Sequence, residues 1–165
     1  RDFLLSRGLG DVYKRQIQGH ANVTADGGKT GAGIGGGSSD YYRGGDAENI
    51  IIQGHSKVTA TAQEGAAIGS GHWRKDNGGN ANKIVICDHA TVIAKGSYNG
   101  RTGNGAAIGA AGLAGDDTEA EVTIGTAGAT DEDVHIIATG SSGSAIGNGK
   151  KITTVTIQGL SLIHI

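Results

Sequence analysis

The chain alternates short β-branched runs with glycine-rich stretches, and this alternation recurs along nearly its whole length. Each recurrence opens with a run such as Val122-Thr123-Ile124, in which the two apolar residues share one face and threonine faces the other way. A second apolar run follows about six residues later, and then a run of the type Gly-Ala-x-Ile-Gly. This third run occurs at 31–35, 65–69, 105–109 and 143–147. The pattern predicts three short β-strands in each repeat.

The third run also sets the length of the repeat. Its isoleucines are separated by 34, 40 and 38 residues, which is typical of a repeat protein. Helices are disfavoured because these windows are rich in glycine and β-branched residues, and collagen is excluded because the chain has no proline. We therefore predict an all-β fold, a single-stranded, right-handed parallel β-helix (solenoid) of about four coils with three short strands each.

Equivalent residues of successive coils should lie above one another at the strand spacing of ~4.8 Å. The inward ladders expected from the three strands are Ile17/Ile52/Ile86/Ile124/Ile157, Val23/Val58/Val92/Ile136 and Ile34/Ile68/Ile108/Ile146. Four small residues should also point inward beside the third ladder, namely Ala32, Ala66, Ala106 and Ser144. The residues between them should point outward and leave that face bare of side chain, namely Gly33, Ala67, Ala107 and Ala145. The flanking glycines are expected to supply positive φ angles at the corners.

The two ends of the chain differ from the repeats. Residues 11–16 and 160–165 match translations of the two strands of a transposase adapter end used in sequencing, and the chain has no methionine. We therefore expect 1–16 and 160–165 to be non-native tails of a metagenomic fragment, and 17–159 to be the β-helix domain of a longer protein.

Without these tails the charge balance changes. Four of the 14 basic and two of the 16 acidic residues leave, so ten basic residues face fourteen acidic ones and the net charge is −4. A dispersed, mildly acidic surface argues against a nucleic-acid partner. No apolar run approaches the length of a membrane span.

The repeats do not predict a catalytic site. The Gly-x-Gly-x-x-Gly match at 31–36 is not followed by the helix that a dinucleotide site needs. Cys87 lies in an apolar strand, where a packed thiol is expected. The corner histidines His20, His55 and His89 should stack in a column, but no carboxylate or thiol recurs beside them, so no metal site and no cofactor is predicted. Acidic clusters at 116–121 and 131–133 leave calcium as an alternative to solvated loop charges.

The aromatic residues of the repeat region lie in loops instead of strands. Segments 41–43 and 72–75 follow the third strand at nearly the same offset in consecutive repeats, so they should be neighbours on one edge. Exposed aromatic rings beside cationic donors suit sugars or protein partners. The predicted ligand-binding residues are therefore Tyr41, Tyr42, Arg43, Trp73 and Arg74. The alternative is that these rings fold onto the bare face and shield the third ladder.

The run Ile-x-Gly-x-x-x-Val-Thr-Ala, followed by Gly-Ala-Gly-Ile-Gly-Gly-Gly, spans 17–37. It resembles the glycine-rich repeats of large secreted or cell-wall-anchored proteins of gut and anaerobic bacteria, and the likeness covers nearly all of 17–159. The resemblance implies an extracellular, adhesin-like or carbohydrate-binding β-helix module, with a glycan or a host-surface protein as partner and no enzymatic activity. A purely structural stalk is the alternative, and a polysaccharide lyase or hydrolase comes third.

Overall fold

The computed structural model describes residues 14–38, 43–72, 78–97, 104–112, 118–129, 132–141, 143–148, 153–158 and 162–163. In these residues the chain forms strands and turns and no helix. Three parallel sheets run along the molecule, and the chain visits them in turn, adding one strand to each before it starts the next coil. The predicted all-β parallel solenoid is confirmed.

The first sheet has the strand order β1 (Arg15–Ile17), β4 (Ala47–Ile52), β7 (Ala81–Ile86), β12 (Ala120–Ile124) and β15 (Thr153–Ile157). The second sheet contains β2 (Asn22–Asp26), β5 (Lys57–Ala62), β8 (Thr91–Gly96), β13 (His135–Gly140) and β16 (Leu162–Ile163). The third sheet contains β3 (Ile34–Gly35), β6 (Ile68–Gly69), β10 (Ile108–Gly109) and β14 (Ile146–Gly147). We number the coils by their third-sheet strands, so that coil 1 contains β3 and coil 4 contains β14.

The three predicted ladders are present in the strand register. In the first sheet Ile52 pairs with Ile86 and Ile86 with Ile124, and all three side chains are fully buried. Val58 and Val92 pair in the same way in the second sheet. Each buried Ile or Val contributes roughly 1.5–3 kcal/mol relative to exposure, so the ladders are the main stabilising element of the fold.

The first ladder ends at Ile157, which continues the register but is 53% exposed. Among the described residues of the first sheet no strand lies beyond β15. Two residues of each segment interpreted as a tail also lie in strands, Arg15 and Gln16 in β1 and Leu162 and Ile163 in β16. Parallel pairing uses backbone groups, so an edge strand accepts an extended segment of almost any sequence.

The prediction for the third strand is wrong in one respect. Gly33, Ala67, Ala107 and Ala145 were expected to point outward on a bare face. Ala67 and Ala107 are instead fully buried and belong to the same core cluster as Ile68 and Ile108. The adjacent Ala66 and Ala106 are buried as well, so this part of coils 2 and 3 has no bare outer face.

The physical reason is that each third strand is only two residues long and the chain reverses around it. The N–H of Ala66 donates to the carbonyl of Ser70, and that of Ala32 donates to the carbonyl of Gly36, both at 3.0 Å. In coil 3 the reversal continues as an antiparallel pair formed by β9 (Asn104–Gly105) and β11 (Ala111–Gly112). The two-residue alternation of a longer strand therefore does not apply here.

A column of glycines with positive φ follows the third ladder, as expected, whereas the glycines that open the third run, Gly31, Gly65 and Gly105, do not have positive φ. Gly35, Gly69, Gly109 and Gly147 have φ angles of 139°, 141°, 134° and 114°. A Cβ atom on Gly69 would lie 1.8 Å from the carbonyl oxygen of Gly109 in the next coil. The same holds at Gly35 and Gly109, where a Cβ atom would lie 1.8 Å and 2.1 Å from a carbonyl oxygen of the next coil. These three positions exclude every side chain, because backbone of the next coil occupies the space a Cβ atom would need.

Candidate functional site

Loops leave the solenoid at the corner between the third and first sheets, and their stems are hydrogen-bonded to one another. We call the residues that follow a third-sheet strand the outgoing stem, and those that precede the next first-sheet strand the returning stem. In coil 1 the N–H of Gly45, on the returning stem, donates to the carbonyl of Gly37, on the outgoing stem, at 2.8 Å. Gly71 of the next outgoing stem donates to the carbonyl of Gly45 at 2.9 Å, and Gly79 donates to that of Gly71 at 3.0 Å. Outgoing and returning stems thus form a continuous zigzag, which fixes the bases of successive loops side by side.

Most of the predicted ligand-binding residues lie beyond these stems, outside the described residues. They are Tyr41, Tyr42, Trp73 and Arg74. The stems show that the loops containing them start from adjacent positions on one edge, as the sequence offsets predict. The arrangement of the rings themselves stays a prediction.

Arg43 is the one predicted site residue that the structure describes. Its guanidinium forms an ion pair of 2.5 Å with Asp46, and both side chains are 44% exposed. The same Asp46 oxygen accepts the backbone N–H of Asn80 at 2.7 Å. Arg43 therefore helps to tie the first loop base to the second through Asp46.

A buried acid and imidazole lie at the base of the second loop. His72 and Glu64 are almost completely buried, and His72 Nδ1 lies 3.8 Å from a Glu64 carboxylate oxygen. The backbone N–H of His72 donates to the carbonyl of Thr30 in coil 1 at 2.8 Å. In the sequence His72 groups with the loop residues that follow it, but its side chain is inside the fold.

The corner between the first and second sheets carries the predicted histidine column. The rings of His20 and His55 stack with centroids 5.1 Å apart, and those of His55 and His89 with centroids 4.6 Å apart. Their planes are parallel to within 7° and 5°. The predicted column is confirmed.

A second cluster at this corner was not predicted. Cys87, Asp88 and Glu132 each direct one ligand atom to a common region, and these three atoms lie within 4.8 Å of one another. Cys87 and Glu132 are each only 8% exposed, and Asp88 is partly exposed. The cluster therefore has two buried members and one side that opens to solvent.

Backbone donors hold both carboxylates in place. Glu132 accepts the N–H of Asp88 at 3.1 Å and that of Thr126 at 2.7 Å through its two oxygens. Asp88 accepts the N–H of Gly54, in the coil below, at 2.9 Å. The insertion between β12 and β13 is thereby attached to the corner of coil 3.

The same contacts shift the pKa values of Cys87 and Glu132. Burial raises the pKa of the Cys87 thiol, and the negative charge of Asp88 raises it further. Burial also acts to raise the pKa of Glu132, but hydrogen bonds from Thr126 and from the Asp88 N–H outweigh it, so the pKa of this carboxyl is lowered. The predicted packed, unreactive thiol at Cys87 fits this environment.

Sequence reasoning missed this cluster because Glu132 lies in an insertion of coil 4, 44 residues from Asp88. The available signal was the break in the repeat. Gln-Gly-His at 18–20 and 53–55 becomes Cys-Asp-His at 87–89, and the next corner contains the insertion.

Comparison with known proteins finds no similar family model, no similar curated protein and no similar solved structure. In the part of the chain that the structure describes, no helix is both long enough and apolar enough to cross a membrane. The fold alone therefore defines the class of protein, a parallel β-solenoid built from glycine-rich repeats.

Proposed function

We propose that this chain is a non-enzymatic module of a secreted or cell-surface bacterial protein, and that it displays loops which bind a glycan or a partner on a host surface. The observation that supports the proposal is the zigzag of loop stems. Successive coils are ~4.8 Å apart, so residues at the bases of neighbouring loops are close enough to contact one ligand.

The loop composition suits a sugar ligand. The two loops contribute Tyr41, Tyr42 and Trp73, and aromatic rings provide apolar surface together with a polar edge. Arg43 and Arg74 add donors that bind hydroxyl or carboxylate oxygens. Arg43 already contacts Asp46 at the loop base, which limits its side-chain freedom and lowers the entropy lost when a ligand binds.

A glycan array and a polysaccharide pull-down with the 165-residue chain test this proposal. The double variant Tyr42→Ala/Trp73→Ala should lose binding. The matched control is Tyr98→Ala, which removes the aromatic residue that follows Ser97, and Ser97 donates its N–H to Ala62 at the end of a second-sheet strand, away from the loop stems. Binding that survives the double variant, or that Tyr98→Ala removes equally, would reject the proposed loops as the site.

A structural stalk is the second candidate, and the glycine packing between coils supports it. The stems of neighbouring coils approach so closely that Gly44 and Gly71 have no room for a side chain, and such close contact suits a spacer. A stalk predicts no ligand on any array and no effect of the loop variants. Polysaccharide cleavage is the third candidate.

A further inference from the structure

Equivalent corners of different coils can be compared within this one chain. A residue that differs from its counterparts in the other coils is one that the fold itself does not require. At the corner between the first and second sheets, coils 1 and 2 both contain Gln-Gly-His. Gly19 and Gly54 have φ angles of 69° and 70° there, and Asp88 adopts φ 62° at the equivalent position of coil 3. A β-carboxylate thus occupies a left-handed position that the repeat otherwise gives to glycine, at a conformational cost.

Two more departures from the repeat occur at the same place. Cys87 replaces the glutamines Gln18 and Gln53 of the coils below, which are hydrogen-bonded to each other at 3.1 Å. The insertion of coil 4 brings Glu132 to the same corner. Three departures from the repeat therefore lie in one region, and each places a metal-ligating atom there.

We propose that Cys87, Asp88 and Glu132 form a binding site for one divalent cation of the zinc type. The thiolate and the two carboxylates are ligands that zinc accepts, and water on the open side of Asp88 completes a four-coordinate shell. The bound ion carries two positive charges against three negative ligands. One proton, from the Cys87 thiol, is released to solvent on binding.

The geometry requires a modest rearrangement. In a tetrahedral shell with Zn–S of about 2.3 Å and Zn–O of about 2.0–2.2 Å, two ligand atoms of one ion lie about 3.3–3.7 Å apart. The three atoms already lie within 4.8 Å of one another. Side-chain shifts of about 1 Å bring the three atoms to these separations. A carboxylate has about four lone-pair sites, so Asp88 and Glu132 can keep their backbone N–H contacts while they bind the ion.

The histidine column does not provide this site. The lone pairs of an imidazole lie in the plane of its ring. Because the planes of His55 and His89 are parallel to within 5° and the ring centroids are 4.6 Å apart, their lone pairs do not converge on one ion.

Cobalt(II) and zinc titrations of the 165-residue chain test the site. We expect one ion per chain and a thiolate-to-cobalt charge-transfer band in the near ultraviolet. Calorimetry in buffers of different ionisation heat should show release of one proton per zinc. Cys87→Ser should remove the charge-transfer band. Glu132→Gln should weaken zinc binding at least about tenfold, because loss of a residue that merely orients a metal ligand already has an effect of that size.

Two controls identify the ligands. Glu121→Gln removes an exposed carboxylate of β12, and His55→Gln interrupts the histidine column. Neither should change the affinity for zinc. The proposal is overturned if the unmodified chain binds no cobalt or zinc, if the band persists in Cys87→Ser, or if His55→Gln abolishes binding. Cys87→Ser is nearly isosteric, so its circular dichroism provides the check that the fold is retained.

Discussion

Replacing Gly69 by alanine should destabilise the protein more than a change at any exposed glycine, because two effects add. Gly69 has φ 141°, a conformation that costs a residue with a Cβ atom about 1–3 kcal/mol. Its Cβ atom would lie 1.8 Å from the carbonyl oxygen of Gly109, whereas real Cβ atoms essentially never approach closer than 3.0 Å. The coils would therefore have to separate locally by more than 1 Å.

That separation acts on backbone hydrogen bonds between coils 2 and 3. Ser70 donates to the carbonyl of Gly109 at 3.1 Å, and Ile68 donates to that of Ala107 at 2.9 Å. Forced overpacking typically costs about 1–3 kcal/mol, so the total loss for Gly69→Ala should be about 2–6 kcal/mol. This is a large part of the roughly 5–15 kcal/mol that typically stabilises a domain.

Two other glycines separate the contributions. Gly19 has φ 69° with no atom within 4 Å of the position that a Cβ atom would take, and Gly37 has open space without a positive φ. We expect Gly19→Ala to cost about 1–2 kcal/mol and Gly37→Ala to stay within about 0.5 kcal/mol of the parent. Urea unfolding followed by far-ultraviolet circular dichroism measures all three free energies. A loss for Gly69→Ala no larger than that for Gly19→Ala would refute the argument from close coil packing.

Burial of three other side chains leads to further expected outcomes. Ile108→Asp should abolish cooperative thermal unfolding because it places a charge in the third ladder, whereas Ile137→Asp, on a side chain that is 53% exposed, should change the melting temperature little. Ser70→Ala should cost about 1–3 kcal/mol in urea unfolding, because the buried Ser70 hydroxyl accepts a backbone N–H of coil 3 at 2.8 Å; the exposed Ser97 hydroxyl is the control, and equal losses for the two serines would contradict this. Cys87 should react with iodoacetamide far more slowly in the native protein than in urea, since burial raises the pKa of its thiol; rapid native labelling at neutral pH would contradict the buried thiol.

The ladders and the histidine column could be predicted from sequence because both depend on translation by one coil. Once the isoleucines of the third run are aligned, the register of every other strand follows, and Ile52 must lie over Ile86. The same translation places His55 between His20 and His89. Neither inference needs information about contacts between residues of different type.

The direction of the side chains in the third strand could not be predicted from sequence. It depends on a reversal of the chain around this strand, and the pattern of apolar and polar residues does not indicate that reversal. The rule of alternating faces holds in β5, where Val58 and Ala60 are buried and Lys57 and Thr59 are exposed. It does not apply to a strand of two residues that is closed by the hydrogen bond from Ala66 to Ser70. Position within a repeat is therefore a better guide to register than to side-chain direction near a tight turn.

The glycine packing also determines where this fold can acquire function. At the glycines that follow the third-ladder isoleucines of coils 1 to 3, and at loop-stem glycines such as Gly71, the backbone of the neighbouring coil lies where a Cβ atom would be. A new side chain at these positions is excluded by sterics, so they cannot evolve a binding residue without loss of the coil contact. At the corner of coil 3 the equivalent position is Asp88 with φ 62°, so a side chain is accommodated there although coils 1 and 2 have glycine. The Cys87, Asp88 and Glu132 cluster thus lies at a corner where this coil already carries side chains, apart from the glycine contacts between coils.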